Sequence, residues 1–129
     1  MKLVPGQTIA VVGLSAKPDR PSFDVARVMQ GAGFRVIPVN PSYAGQTILG
    51  ERCIASLAEI DTAVDIVDCF RKSEDMLKVA LEVVAMKARP AVLWMQMGIR
   101  STEARNVAAA VGIEVIEDQC IKVAYFNQH

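Results

Sequence analysis

The stretch that most constrains the fold is Thr8 to Ser22, Thr-Ile-Ala-Val-Val-Gly-Leu-Ser-Ala-Lys-Pro-Asp-Arg-Pro-Ser. Ile9 to Val12 is apolar without alternation and rich in β-branched residues, the pattern of a strand covered on both faces as in a parallel sheet. Gly13 follows at once, where a chain leaving a strand needs backbone freedom or a close approach to something else. Pro21 and Ser22 then open a helical pattern, since proline suits a first turn whose N–H would be unpaired anyway. A helix start flanked by Lys17 and Arg20 is an anion site, because free N–H groups and positive charge converge there.

The rest of the chain repeats this alternation. Strands are predicted at about Thr8–Leu14, Arg35–Asn40, Ala63–Phe70, Ala91–Gln96 and Ile113–Glu117. The first helix carries Val25, Ala26, Met29 and Ala32 at helical spacing and stops at Gly31 and Gly33. Residues 41–55 read as a loop, and Ser56-Leu-Ala-Glu59 reads as a capping box opening a one- to two-turn helix. A longer helix is expected over Ser73–Ala88, capped by Ser73, with Leu77, Ala80, Leu81, Val84 and Ala88 inward and a Glu74–Lys78 pair outside. Another starts after Ser101 with Ala104, Val107, Ala108 and Val111 inward. The tail Asp118–His129, with Ile121, Val123, Tyr125 and Phe126, is expected to dock on the body. Trp94 and the methionines Met29, Met76, Met86, Met95 and Met97 read as packing.

Strands alternating with helices imply an α/β fold: a three-layer, Rossmann-like, doubly wound parallel sheet of five strands, with expected order 3-2-1-4-5. At 129 residues this is one domain, spanning 1–129, long enough to bury roughly two-thirds of its unfolded surface. Fourteen basic and fourteen acidic residues cancel, so no global field favours nucleic acid or a membrane surface. Cys53, Cys69 and Cys120 are odd in number and form no CxxC pair, which argues against a zinc site or disulfide framework. There is no signal-peptide pattern and no apolar run of ~18 residues, so a reducing cytoplasm is the expected location.

In such sheets ligands bind at the carboxyl ends of the strands, near the topological switch point. That edge brings together Gly13, Leu14, Ser15, Lys17 and Arg20, then Asn40, Pro41 and Ser42, then Phe70, Arg71 and Lys72, then Gln96, Gly98 and Arg100. Taken singly, a glycine after a strand is most often a turn and a loop cation is usually solvated. Ser22 reads equally as a helix cap or a phosphate contact, and Asp68 as a hydrogen-bonding residue near a strand end. A dinucleotide site would carry Gly-x-Gly-x-x-Gly after the first strand and an acid ending the second. Here Gly-Leu-Ser-Ala-Lys-Pro and Asn40-Pro41 stand in those places, and no P-loop motif occurs. The longer, more cationic loop suits a ligand with more phosphate charge than NAD, such as coenzyme A with its diphosphate and separate 3′-phosphate.

Ile9-Ala-Val-Val-Gly-Leu-Ser15, Lys17-Pro-Asp-Arg-Pro-Ser22, Val36-Ile-Pro-Val-Asn-Pro41, Ile48-Leu-Gly-Glu51, Val64-Asp-Ile-Val-Asp68 with Phe70-Arg71, and Trp94-Met-Gln-Met-Gly98 together resemble the stand-alone CoA-binding protein family. That family is similar to the CoA-binding domain of the succinyl-CoA synthetase α subunit. The resemblance covers nearly the whole chain in order. It implies Gly13, Leu14, Ser15, Lys17, Arg20, Pro21 and Ser22 around phosphates. It also implies Val39, Asn40 and Pro41 near the adenosine, and Phe70 and Arg71 along the cleft. Cys69 departs from the aliphatic residue usual before Phe-Arg; a pantetheine arm running past that strand would bring its thiol to Cys69 for a mixed disulfide under oxidation, the alternative being a buried inert thiol.

No catalytic constellation is evident. The synthetase chemistry that the domain resembles needs a phosphorylatable histidine from a second domain, and the one histidine here is His129. The expectation is therefore a non-enzymatic module binding CoA or acyl-CoA. An NAD(P)-dependent redox protein and an orphan subunit of a split acyl-CoA synthetase are the alternatives. Homo-oligomer and partner ligase subunit both stay open.

Overall fold

The structure, a computed structural model, describes residues 1–128. Its main sheet is parallel and five-stranded, formed by β1 (Thr8–Val12), β2 (Arg35–Val39), β5 (Ile66–Cys69), β6 (Val92–Met95) and β7 (Glu114–Ile116). A small antiparallel hairpin, β3 (Thr47–Ile48) with β4 (Glu51–Arg52), lies between β2 and β5 in sequence. Helices α1 (Pro21–Gly31) and α4 (Ile121–Phe126) cover one face of the sheet; α2 (Met76–Val84) and α3 (Thr102–Ala109) cover the other. The three-layer, Rossmann-like architecture is the one expected.

The strand order differs from the expectation. It is β2-β1-β5-β6-β7, so the third long strand sits beside the first on the side away from the second. Burial explains this. Ile66, Val67, Asp68 and Cys69 are all essentially inaccessible, which only a central strand achieves, whereas β2 opens with exposed Arg35 and forms an edge. The free side of β2 is already occupied. Ile54 forms a parallel bridge with Val39, and Arg35 holds the hairpin through a two-pronged ion pair with Glu51. Connections then leave β1 in opposite directions, which moves the switch point to the gap between β1 and β5.

Residues 41–55 are more ordered than a loop. Pro41–Tyr43 forms a 3-10 turn, and the hairpin turns through Leu49 (φ 51°) and Gly50 (φ 85°), both left-handed as a type I′ turn requires. The capping box at Ser56 and Glu59 is present, over a single 3-10 turn, Leu57–Glu59. The third expected helix starts as a 3-10 turn at Ser73–Asp75 before α2, and Ser73 does not cap it: its hydroxyl accepts from the Arg100 N–H. The buried face of α2 is Met76, Val79, Ala80 and Val83; Leu81 and Ala88 are exposed, and Glu74 lies 4.0 Å from Lys72 rather than pairing with Lys78. On α3, Ser101 caps as expected and Ala104 and Ala108 point inward, but Val111 is exposed. The tail docks through Ile121 and the edge-on contact of Tyr125 with Phe34. Trp94, Met29, Met76, Met86 and Met95 are core, whereas Met97 projects to solvent past the end of β6.

Candidate functional site

Gly13 is the joint of the site. It leaves β1 with φ 87°, in the left-handed region that L side chains rarely adopt, and its N–H donates to the Val39 carbonyl at 2.8 Å. A Cβ at this position would lie 2.4 Å from the Phe70 carbonyl oxygen. A hydrogen is all that fits where the ends of β1 and β5 meet. The loops after β1, β2 and β5 converge here, at the carboxyl edge of the sheet and at its switch point.

Two clefts share Gly13. The first, about 290 Å³, opens toward the α2 side. Val12, Val39, Leu57 and Val79 give it apolar walls, Pro41 flanks it, and Ser56, Arg71, Asp75, Lys78 and Glu82 supply its polar groups. The second, about 230 Å³ and more open, is lined by Gly13, Ser15, Arg20, Pro21, Ser22 and Phe70 at the start of α1. Together they fall within the size of small-molecule sites, roughly 300–1,000 Å³, and have the same make-up of apolar walls with a few placed polar groups.

The loop of the second cleft is held from within. Ser22 is buried in the first turn of α1, and its hydroxyl accepts from the Ser15 N–H at 3.0 Å. Ser22 is thus not the helix cap: Arg20 takes that position, and no side chain caps the helix start. The Ser15 hydroxyl accepts from the Lys17 N–H and lies 3.5 Å from the Tyr43 hydroxyl. Asn40 ties two loops together, donating from Nδ2 to the Leu14 carbonyl and accepting the Ser42 N–H on Oδ1. Leu14 is wholly inaccessible, side chain and backbone alike, so it supports the loop rather than facing a ligand.

The predicted site residues therefore divide. Gly13, Val39, Pro41 and Arg71 line the first cleft; Gly13, Ser15, Arg20, Pro21, Ser22 and Phe70 line the second. Asn40 and Leu14 act as supports, and Lys17 is exposed on the loop beside the second cleft without lining it. The cation cluster is smaller than expected: Arg100 pairs with Asp118 at 2.8 Å, and Lys72 lies against Glu74, neither lining a cleft. Ala55, Ser56, Leu57, Asp75, Lys78, Val79 and Glu82 were not anticipated. The apolar residues among them had no signal beyond ordinary core patterning, and the capping box accounted for Ser56.

Two buried groups on β5 differ from expectation or complete it. Asp68 is 1% exposed and its Oδ1 has no hydrogen-bond partner among the described residues, so the carboxyl anticipated as a hydrogen-bonding group is only partly satisfied. Burial holds its carboxyl well above the ordinary carboxylate range, against one favourable contact from the Cys69 backbone N–H. Cys69 is wholly inaccessible and burial pushes its thiol well up, which excludes it as a partner for a cofactor thiol in this conformation. His129 lies outside the described residues. Among those residues no group of acidic, cysteine or histidine side chains is arranged to hold a metal ion, and no helix is long and apolar enough to cross a membrane.

An open parallel sheet with paired clefts at its switch point, one apolar and one at a helix start, is a Rossmann-like fold with a candidate ligand site at the edge where such sheets bind. The comparisons narrow the class. A family model described as a CoA binding domain matches residues 7–125, and the chain belongs to that family. It is similar to the uncharacterized protein YneT of Bacillus subtilis (strain 168), at 46% identity over 117 residues covering 91% of this chain and 84% of YneT. Among solved structures, a Thermus thermophilus protein superposes with a TM-score of 0.91 at 36% identity, covering 96% of this chain and 91% of that one. A Pyrococcus horikoshii OT3 protein superposes with a TM-score of 0.84 at 28% identity, covering 92% and 81%.

Proposed function

We propose that the protein binds CoA or acyl-CoA as a non-catalytic module, with the adenosine in the first cleft and the phosphates at the second. The observation that carries this reading is the pair of unlike clefts meeting at Gly13. A flat base suits a slot between Val12, Val39, Leu57 and Val79, where burying apolar surface is favourable by about 25 cal/mol per Å². Phosphate suits the start of α1, where no side chain caps the helix and the Ser22 N–H, the Ser15 hydroxyl and Arg20 converge. Arg71, whose Cδ lies 3.2 Å from the Cβ position at Gly13, stands where both halves of such a ligand pass. Lys17 is within the same loop and adds charge to it.

The non-enzymatic part of the proposal rests on the chemistry of the lining groups. Asp75 and Glu82 are the carboxylates of the first cleft, and among the described residues no histidine, cysteine or metal-ligand set accompanies them. The three cysteines are free thiols, which suits a reducing cytoplasm. A carrier, a sensor, or a subunit delivering CoA to a separate ligase chain would all use this arrangement. Titration calorimetry with CoA tests the reading, with NADH as control. Saturable CoA binding is expected, and replacing both Lys17 and Arg20 by alanine weakens it at least about tenfold, since each charge-assisted bond contributes ~1.5–3 kcal/mol. Absence of heat with CoA and with acetyl-CoA, or tighter binding of NADH, overturns it.

A further inference from the structure

We propose that Asp75 is an internal competitor for Arg71: its carboxylate attracts the guanidinium in the free protein and yields it to a ligand phosphate, and so sets how tightly a phosphorylated ligand is held. The inference rests on the CoA reading above and deepens it, and it needs no particular orientation of the ligand. Arg71 lines the first cleft, and its Cδ lies 3.2 Å from the Cβ position at Gly13, the residue both clefts share. Whichever way round it lies, an anionic ligand that fills both clefts passes this side chain. Arg71 is also held unlike other paired arginines. Arg27, Arg35 and Arg100 meet carboxylates at 2.7, 2.9 and 2.8 Å, and none of the three lines a cleft. Arg71 Nη2 stands 4.0 Å from Asp75 Oδ2, beyond hydrogen-bond distance, with both side chains partly exposed. A pair this loose contributes little and leaves the N–H donors of the guanidinium uncommitted.

Asp75 is uncommitted as well. It occupies the N-cap position of α2, where aspartate is among the best capping residues, but its side chain makes no capping bond. It lines the first cleft instead, with Arg71 as its one partner among the described residues. Neighbouring Glu74 belongs to the same 3-10 turn, but it lies against Lys72 and lines no cleft. Two opposite charges therefore line one cavity, close enough to attract and too far apart to bond. A phosphate offers the guanidinium short, two-pronged, charge-assisted bonds that Asp75 does not make. As Arg71 turns to it, Asp75 loses its counter-ion beside an incoming anion, which offsets part of the gain. On release the carboxylate recaptures the arginine. Affinity is thereby held below what the cations alone would give, which suits a module that carries or hands on its ligand.

The test titrates CoA calorimetrically into the full chain, Asp75→Asn, Glu74→Gln, Arg71→Ala and the Arg71→Ala, Asp75→Asn double variant, at one ionic strength because salt screens exposed charges. Asp75→Asn is expected to bind CoA about two- to fivefold more tightly, the range for an exposed ion pair. Glu74→Gln, which removes an equal charge one residue away, is expected to stay within about 1.5-fold of the wild type. Without Arg71 the gain from Asp75→Asn is expected to shrink, because the arginine it frees is gone. Unchanged or weaker binding by Asp75→Asn overturns the inference and makes Asp75 a bystander or a support of Arg71. An equal gain from Glu74→Gln, or an undiminished gain without Arg71, overturns it in favour of simple repulsion. In each of these cases the CoA reading stands; absence of CoA binding by the wild type removes both. Asp75→Ser, which drops the charge and can still cap α2, takes the place of Asp75→Asn should that variant not fold. Should Arg71→Ala bind too weakly to titrate, the comparison of Asp75→Asn with Glu74→Gln decides alone.

Discussion

Gly13→Ala is the substitution whose consequences follow most directly from the geometry. Alanine would have to occupy φ 87°, a conformation that costs an L residue roughly 1–2 kcal/mol. Its methyl would also stand 2.4 Å from the Phe70 carbonyl oxygen, well inside the closest separation real Cβ atoms show. That oxygen belongs to backbone at the end of β5 and cannot swing aside as a side-chain tip would. The end of β5 must move away from β1, or Gly13 must abandon its hydrogen bond to Val39. Overpacking of this kind costs about 1–3 kcal/mol, so the total loss is about 2–5 kcal/mol. Against a total stability of roughly 5–15 kcal/mol the variant stays folded. Both clefts distort together because both are lined by this residue. Urea unfolding should show the midpoint falling with little change in slope, and calorimetry should show CoA affinity falling by more than tenfold. Stability within about 0.5 kcal/mol of the wild type, the ordinary range of a neutral surface change, together with unchanged affinity, would refute the steric argument.

Asp68→Asn tests the buried acid. The native group binds its proton more tightly than the unfolded chain does, so there is no penalty below the unfolded carboxyl value near ~3.9, where both states are protonated. Above that value wild-type stability falls by about 1.4 kcal/mol per pH unit from this group, until the native carboxyl itself ionises, and asparagine removes this component. Urea melts from pH 4.5 upward should show the variant gaining on the wild type as pH rises; a difference that stays constant with pH would count against the assignment. Ser22→Ala deletes the acceptor of the Ser15 N–H and should cost about 1–3 kcal/mol in thermal or urea unfolding, with weaker CoA binding, because the loop is held by that bond. A silent Ser22→Ala would mean that the loop is fixed by other contacts.

Much of this fold can be read in the sequence because strand and helix signals are local. The β-branched runs, the Pro21 helix start, the Ser101 cap and the Ser56–Glu59 capping box all depend on near neighbours, and all appear. Strand order is a long-range property. Nothing local distinguishes Arg35–Val39 as an edge from Ile66–Cys69 as a centre until the hairpin and Ile54 are seen to occupy the outer side of β2. The hairpin itself was hidden because Leu49, rather than asparagine or aspartate, takes the first left-handed turn position. In α2 the sequence is apolar nearly all round, so two helical registers fit, and packing against α3 selects Met76, Val79, Ala80 and Val83. The site divides in the same way. Gly13, Ser15, Arg20 and Ser22 lie on one continuous stretch and were legible. Ser56, Lys78, Val79 and Glu82 enter only because β5 lies beside β1, which swings α2 over the end of β2.

The bridge between Ile54 and Val39 has a wider consequence. The segment that closes the exposed border of the sheet continues directly into Ala55, Ser56 and Leu57, which line the first cleft. Protection against strand-to-strand association with other chains and the shape of the ligand cleft are thus entrusted to the same few residues. A change that loosens this segment to admit a bulkier ligand would also uncover a sticky border, so altered specificity and poor solubility are coupled at this place in the molecule.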